Sequence, residues 1–182
     1  MNMDHLVVHG AGGHGKVVAC AALSLGYTVK PTDAREGTEP TLDEECIIAI
    51  GDNATRKGFA NRNLKSIVHP TAFVDPSARI GDGAFIGPCA VVHVGARVGR
   101  GAIVNTGAIV EHDCHVGDWT HLAPGAVLCG TVTVGEGAFI GANAVVRENT
   151  TICPWAVIGG GAVVVGNIDE PGTYCGCPAK KH

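Results

Sequence analysis

The hydrophobic positions of this chain recur every six residues from Val74 to Val164. All sixteen of these positions hold valine, isoleucine or leucine. A small residue lies two places before nearly every one of them, as Ala84 does before Ile86. A period of six matches neither the 3.6-residue period of an α-helix nor the two-residue alternation of an open sheet. It is typical of a β-helix built from hexapeptide repeats.

Three such repeats should close one triangular coil of about 18 residues, with the aliphatic side chains pointing into the prism. Sixteen repeats therefore predict roughly five coils, whose strands stack in parallel about 4.8 Å apart. Glycine often follows the aliphatic position, as at Gly117 and Gly141. We expect these glycines to relieve turns in which the backbone angles are unusual.

A segment of a different kind precedes the repeats. Its pattern predicts strands at residues 6–9, 27–30 and 46–50 and helices at 16–25 and 54–61. We therefore divide the chain into an α/β nucleotide-binding domain of the β-α-β-α-β type, residues 1–65, and a parallel β-helix domain, residues 66–182. After residue 164 we expect a covering strand at 165–169 and a turn-rich tail that caps the open end of the prism.

A glycine loop joins the first predicted strand to the first helix. Gly10, Gly12 and Gly15 satisfy the pattern G-x-G-x-x-G, and Asp33 follows about 20 residues later. In nucleotide-binding proteins such glycines let the backbone approach a pyrophosphate, which binds the free N–H groups at the helix start. A tight turn without a ligand is the alternative. Since this segment supplies barely one half of a dinucleotide site, a nucleoside diphosphate fits better than NAD.

Three histidines and three acids crowd into residues 111–121. The repeat predicts that His112 points outward beside Asp113, and that Gly130, one coil later, leaves room for a ligand. Three interpretations are open. A zinc site needs convergent ligands, but His112 and His121 should lie on different sides of the prism. The histidines could also be solvated surface groups. The third interpretation, a His–acid catalytic pair in a groove between subunits, is the one that we favour.

Composition narrows the classes of partner. The net charge is −4 and the sequence has no basic run, which argues against nucleic acid. Its apolar runs are too short to cross a bilayer, so no membrane association is expected. The eight cysteines are scattered, apart from Cys175 and Cys177, and are expected to be free thiols in the cytoplasm.

Several short motifs give the chain a family resemblance over essentially its whole length. They are GAGGHG at 10–15, IGDN at 50–53, HP at 69–70, NT at 105–106, EHD at 111–113 and GCPAK at 176–180. With these the chain resembles the nucleotide-linked amino-sugar N-acetyltransferases of the hexapeptide-repeat superfamily. That group includes the UDP-bacillosamine and GDP-perosamine enzymes and the sialic-acid O-acetyltransferases. The resemblance implies a left-handed β-helix, a homotrimer with active sites between subunits, and acetyl-CoA in the groove between adjacent prisms.

The resemblance also implies roles for individual residues. His112 matches the general base, and Asp113 matches a carboxylate that raises its basicity, although relatives often have Glu there. His121 matches a contact to the acetyl group of the donor. We further expect the Gly130 N–H to stabilise an oxyanion. The predicted acetyl-CoA contacts are Asn105, His121, Gly130, Ala142 and Gly160. The predicted sugar-nucleotide contacts are Gly10, Gly12, Gly13, His14, Asp33, Gly51 and Asn53. No metal is implied.

The predicted function is acetyl-CoA-dependent N-acetylation of a nucleotide-linked amino-deoxy sugar, such as a UDP- or GDP-4-amino-4,6-dideoxy sugar. One alternative is O-acetylation of a sialic acid or a related sugar. An alternative of another class is a non-catalytic, nucleotide-binding trimeric scaffold, which would release no thiol from acetyl-CoA.

Overall fold

The computed structural model of the chain describes residues 4–182, and its first part is a small parallel sheet. The strands are β1 (His5–His9), β2 (Thr28–Thr32), β3 (Glu45–Ile48) and β4 (Asn63–Leu64), in the order β2-β1-β3-β4. Two helices connect them, α1 (Gly13–Ser24) and α2 (Asn53–Lys57). Successive side chains of β1 point to opposite sides of the sheet. Leu6 and Val8 pack with α1, whereas Val7 packs with β3, so both sides of the sheet are buried.

These elements agree with the predicted α/β unit except at their ends. Helix α1 begins three residues earlier than expected, and α2 ends at Lys57 rather than near residue 61. Strand β4 lies in a stretch for which no element was predicted, and it pairs with β3.

The second part is a left-handed parallel β-helix of two-residue strands spaced six residues apart. The strands are β5 (Ile67–Val68), β6 (Phe73–Val74), β7 (Arg79–Ile80), β8 (Phe85–Ile86), β9 (Val91–Val92), β10 (Arg97–Val98), β11 (Ile103–Val104), β12 (Ile109–Val110), β13 (His115–Val116), β14 (His121–Leu122), β15 (Val127–Leu128), β16 (Thr133–Val134), β17 (Phe139–Ile140), β18 (Val145–Val146), β19 (Thr151–Ile152), β20 (Val157–Ile158) and β21 (Val163–Val164). Each strand from β5 to β18 pairs in parallel with the strand 18 residues later, as Ile109 does with Val127. The second residue of each strand belongs to the core or packs against it, which confirms the six-residue pattern.

The end of the β-helix differs from expectation. Residues 165–169 form no strand; Ile168 makes only an isolated bridge to Ile152. The cap is instead β22 (Thr173–Cys175), which continues the stack beside β20, with β23 (Lys180–Lys181) antiparallel to it. None of the helices formed by residues 4–182 has the length and hydropathy of a membrane span.

The turns use glycine for a reason other than the one expected. Gly117 follows an aliphatic position, but its φ angle does not lie in the left-handed region; a Cβ there would lie 2.7 Å from the backbone nitrogen of Glu136 in the next coil. The left-handed residue comes two places later, at Trp119 with φ 58°. The same conformation recurs at every sixth residue from Gly83 to Gly161, and half of these residues are not glycine. The expectation was therefore wrong: the glycines that follow the aliphatic positions allow coils to stack closely.

The three faces of the prism differ in chemistry. The covered face is the eight-stranded sheet, whose outward side chains Ile67, Phe85 and Ile103 pack against the N-terminal α/β unit. The polar face is the five-stranded sheet. Its outward residues are exposed, and they are Arg79, Arg97, His115, Thr133 and Thr151. The open apolar face is the six-stranded sheet. Its outward residues are half-buried or exposed, and they are Phe73, Val91, Ile109, Val127, Val145 and Val163.

Candidate active site

The glycine loop borders a cavity of about 420 Å³ at the carboxyl end of the N-terminal sheet, lined by residues between His9 and Thr55. Six of the seven predicted sugar-nucleotide residues line it, namely Gly10, Gly12, Gly13, His14, Asp33 and Gly51. A Cβ at Gly12 or Gly13 would meet no other atom within 4 Å, so the loop has open space beside it. A Cβ at Gly15 would lie 1.7 Å from the Gly10 carbonyl oxygen, so this glycine allows the helix to approach the strand.

Asp33 ties the second strand to the glycine loop. Its Oδ2 accepts hydrogen bonds from the Ala11 N–H at 2.9 Å and from Arg35 Nη2 at 2.6 Å. Its Oδ1 accepts from Arg35 Nε at 2.9 Å. The bond to Arg35, followed by that to the Ala11 N–H, holds the pKa of the Asp33 carboxyl well below its usual range. The cavity wall therefore carries a carboxylate already paired with a guanidinium, and Arg35 also lines the cavity.

Asn53, the seventh predicted residue, is not among the residues that line this cavity. Its Nδ2 donates to the carbonyl oxygens of Gly137 at 3.0 Å and Ala138 at 3.1 Å, and its Oδ1 accepts from Arg56. The side chain is buried. Asn53 therefore holds α2 against the β-helix, which differs from its expected role as a substrate contact.

His121 projects from the covered face beside the rim of the cavity. Its Nδ1 lies 3.2 Å from the carbonyl oxygen of Gly51, and its Nε2 lies 3.1 Å from Asn105 Nδ2. The Asn105 amide orientation is fixed because its Oδ1 accepts from the Thr106 N–H at 2.8 Å. A carbonyl oxygen can only accept and an amide nitrogen can only donate. The ring is therefore neutral, with its proton on Nδ1.

His14 belongs to the same group of neutral rings. Its ring centroid lies 6.1 Å from that of His121. Burial lowers the pKa of both His14 and His121 to about 4. Within residues 4–182, the buried Nε2 of His14 has no hydrogen-bond partner. The imidazoles between the cavity and the β-helix are thus uncharged at neutral pH.

His112 and Asp113 form an exposed pair on another edge of the prism. They lie in the turn between β12 and β13, at the corner where the open apolar face meets the polar face, which we call the distal corner. His112 Nδ1 lies 2.9 Å from Asp113 Oδ2, and the two side chains are 53% and 66% exposed. Asp113 occupies the left-handed turn position with φ 58°, a conformation that Asp tolerates better than most residues.

Gly130 lies one coil above His112, in the same column of the distal corner. A Cβ built on Gly130 would lie 2.4 Å from His112 Nε2. The space that Gly130 leaves is therefore occupied by the imidazole of His112, which differs from the expectation that it holds a ligand.

Ala142, Gly160 and Asn105 lie along a different edge. Each is in a turn between the covered face and the open apolar face, which we call the proximal corner. Ala142 and Gly160 are exposed and stack in successive coils, 18 residues apart. In a single chain the predicted acetyl-CoA contacts thus fall into two groups. One group lies at or beside the proximal corner and contains Asn105, His121, Ala142 and Gly160. The other is Gly130, which lies at the distal corner with His112.

The sequence analysis gave no role to Arg56, whose side chain is buried between α2 and the β-helix. An arginine in a short helix carries no pattern that would reveal such burial. No group of three or more His, Cys, Asp or Glu side chains within residues 4–182 is arranged to hold a metal ion.

Comparisons with known proteins relate the whole chain to acetyltransferases. The family model described as bacterial transferase hexapeptide (six repeats) matches residues 131–166. The structure of the acetyltransferase domain of PglB from Neisseria gonorrhoeae FA1090 is 35% identical, with a TM-score of 0.92 over 98% of this chain and 99% of that one. The same domain in complex with acetyl coenzyme A matches over 100% of both chains.

A second similar structure is PerB from Caulobacter crescentus in complex with CoA and GDP-perosamine. It is 33% identical, with a TM-score of 0.91, and the match covers 98% of this chain and 97% of that one. No curated protein sequence matches the chain.

Proposed function

The chain belongs to the hexapeptide-repeat sugar acetyltransferases and is an acyltransferase, and we propose from this premise that it acetylates the amino group of a nucleotide-linked amino-deoxy sugar. Acetyl-CoA is the acetyl donor. The sugar nucleotide binds in the 420 Å³ cavity beside the glycine loop, in residues 1–65, and residues 66–182 form the acetyltransferase domain. A UDP- or GDP-4-amino-4,6-dideoxy sugar is the expected acceptor, consistent with the GDP-perosamine bound to PerB.

One observation carries the proposed architecture: His112 lies at the prism corner opposite the face that bears the cavity. The N-terminal unit packs on the covered face, and the distal corner joins the other two faces. The His112 of one chain therefore cannot serve the cavity of that same chain. A second copy must supply it, so the active site lies between subunits.

The open apolar face supplies a surface for this assembly. Its outward side chains are all apolar, whereas those of the polar face include Arg79 and Arg97. Burying a row of aliphatic side chains is favourable, at roughly 25 cal/mol per Å². A head-to-tail contact around a three-fold axis closes into a ring. Such a homotrimer would bring the distal corner of one copy next to the proximal corner of its neighbour, which carries Asn105.

In the proposed reaction the amino nitrogen of the sugar attacks the thioester carbonyl of acetyl-CoA. His112 Nε2 takes the proton of the amine, while Asp113 accepts the Nδ1–H and stabilises the imidazolium. The Gly130 N–H is the proposed donor that stabilises the oxyanion. Collapse of the tetrahedral intermediate breaks the C–S bond, and the CoA thiolate receives the proton from His112. The products are the N-acetylated sugar nucleotide and CoA.

A thiol-release assay with acetyl-CoA tests this proposal against a panel of acceptors. The panel contains UDP- and GDP-linked 4-amino-4,6-dideoxy sugars and a sialic acid. We expect turnover with at least one amino-sugar nucleotide. Turnover with the sialic acid alone would indicate O-acetylation, and nucleotide binding without thiol release on any acceptor would indicate a non-catalytic scaffold.

His112→Ala tests the base. It should lower kcat by about 10²–10⁴-fold, the usual contribution of a general base, with little change in the Kd of acetyl-CoA. His115→Ala is the matched control, because His115 is also exposed and follows three residues later on the polar face. Turnover of His112→Ala at the rate of the unaltered enzyme would exclude His112 as the base.

A further inference from the structure

Arg56 is buried at the contact between the N-terminal unit and the β-helix, with 1% of its surface exposed. Burial lowers the pKa of its guanidinium to about 10, so the group is still charged at neutral pH. Every hydrogen-bond acceptor that it contacts within residues 4–182 is a neutral oxygen, either a backbone carbonyl or the Asn53 amide. A buried charge is costly unless its donors are satisfied. The guanidinium of Arg56 therefore requires its acceptor oxygens to stay in place around it.

The guanidinium joins three segments. Nε donates to the Gly101 carbonyl oxygen at 2.7 Å, and Nη2 donates to that of Trp119 at 2.7 Å, one coil later. Nη1 donates to the Ile50 carbonyl oxygen at 2.7 Å and more weakly to that of Gly51 at 3.3 Å. The Ile50–Gly51 segment, which lines the cavity, is thereby tied to two successive coils. One of the two coil carbonyls, that of Trp119, lies two residues before His121.

The Gly51 carbonyl connects Arg56 to His121. The same oxygen that accepts weakly from Arg56 Nη1 lies 3.2 Å from His121 Nδ1. While this oxygen faces the ring, the proton of His121 must stay on Nδ1, and Nε2 must remain the acceptor. Nε2 then faces Asn105 at the proximal corner, the edge that carries the predicted contacts to acetyl-CoA.

We propose that Arg56 is a positioning residue that, together with the Asn105 amide, fixes the Nδ1–H tautomer of His121 by holding the Gly51 carbonyl against the ring. The consequence for catalysis rests on the proposed function: an unprotonated Nε2 beside Asn105 can accept a hydrogen bond at the donor site but cannot donate one. The tautomer itself is a property of the folded chain and is measurable without turnover.

The deciding experiment is ¹⁵N NMR of the full chain with labelled histidine, with the His121 signals assigned from their loss in His121→Asn. In the unaltered protein we expect a neutral His121 with its proton on Nδ1. Arg56→Lys and Arg56→Met should give a mixture of the two tautomers. Arg62→Lys is the matched control, because Arg62 pairs with the half-exposed Glu39, and it should leave the His121 signals unchanged.

Two results would overturn the proposal. One is an Nε2–H tautomer in the unaltered protein, a measurement that does not depend on any variant folding. The other is the same Nδ1–H tautomer in a folded Arg56→Lys or Arg56→Met protein. We also expect Arg56→Lys to lower kcat/KM for the sugar nucleotide by about tenfold, the size of one charge-assisted hydrogen bond.

Loss of turnover with an unchanged tautomer would show that Arg56 is only a structural contact. If the unaltered chain acetylates no sugar nucleotide, the proposed function fails, while the NMR comparison still decides the role of Arg56.

Discussion

Replacing Gly130 with alanine should displace the imidazole of His112, the proposed base, without removing any of its atoms. The new Cβ would lie 2.4 Å from His112 Nε2 and 2.6 Å from Cε1. An ordinary contact begins near 3.4 Å, so the ring must move by about 1 Å. Since 53% of the His112 side chain is exposed, the ring has solvent to move into, and its 2.9 Å bond to Asp113 will lengthen.

A displacement of this size at a reacting group costs about 10²-fold in rate. We therefore expect Gly130→Ala to lower kcat by about 10²-fold in the thiol-release assay, with little effect on the melting temperature. Gly130 does not have a left-handed φ angle, so alanine introduces no backbone strain. The backbone N–H is also retained, so the loss would not come from the proposed oxyanion donor.

Two controls isolate the cause. Gly166 occupies the same repeat position in the same column, two coils further on, and a Cβ there meets no other atom within 4 Å. Gly166→Ala should keep full turnover. In a His112→Ala background, Gly130→Ala should add little further loss, because the displaced group is gone. Unchanged kcat in Gly130→Ala, or an equal loss in both backgrounds, would refute the reasoning.

The assembly and the buried histidines give the remaining predictions. Ile109→Arg places a charge in the open apolar face and should convert the proposed trimer to single folded chains in light scattering, with turnover lost. Thr133→Arg on the polar face should leave the proposed trimer intact, and a trimeric Ile109→Arg would contradict the proposed interface. The pKa of His14 and of His121 is about 4 in the folded chain, against about 6.5 when unfolded, so the unfolded chain binds more protons between these values. The free energy of unfolding should decrease by up to about 1.4 kcal/mol per histidine per pH unit as the pH is lowered from 6.5 toward 4. The melting temperature should therefore hold above pH 6.5 and fall below it, and a flat profile from pH 7.5 to 4.5 would contradict this prediction.

The sequence by itself determined the repeat. The register of a β-helix coil depends on which residues point inward. A period of six, with small residues at the corners, identifies those residues from adjacent positions in the sequence. The register of all strands from β6 to β21 could therefore be predicted. The glycine loop was equally readable, because a strand-to-helix turn is set by a few adjacent residues. The pairing of His112 with Asp113 and the position of Gly130 above them also follow from sequence spacing, since neighbouring coils differ by 18 residues.

Only the tertiary structure decided how the two parts of the chain meet. No periodicity indicates that Asn53 and Arg56 turn toward stacked carbonyl groups of the β-helix, because those acceptors are far away in sequence. The same packing placed Gly51 against His121 and so fixed the protonated nitrogen of that ring. The cap strand β22 was missed for a related reason: it lies beyond the repeat, where its pairing with β20 and β23 requires no repeat pattern of its own.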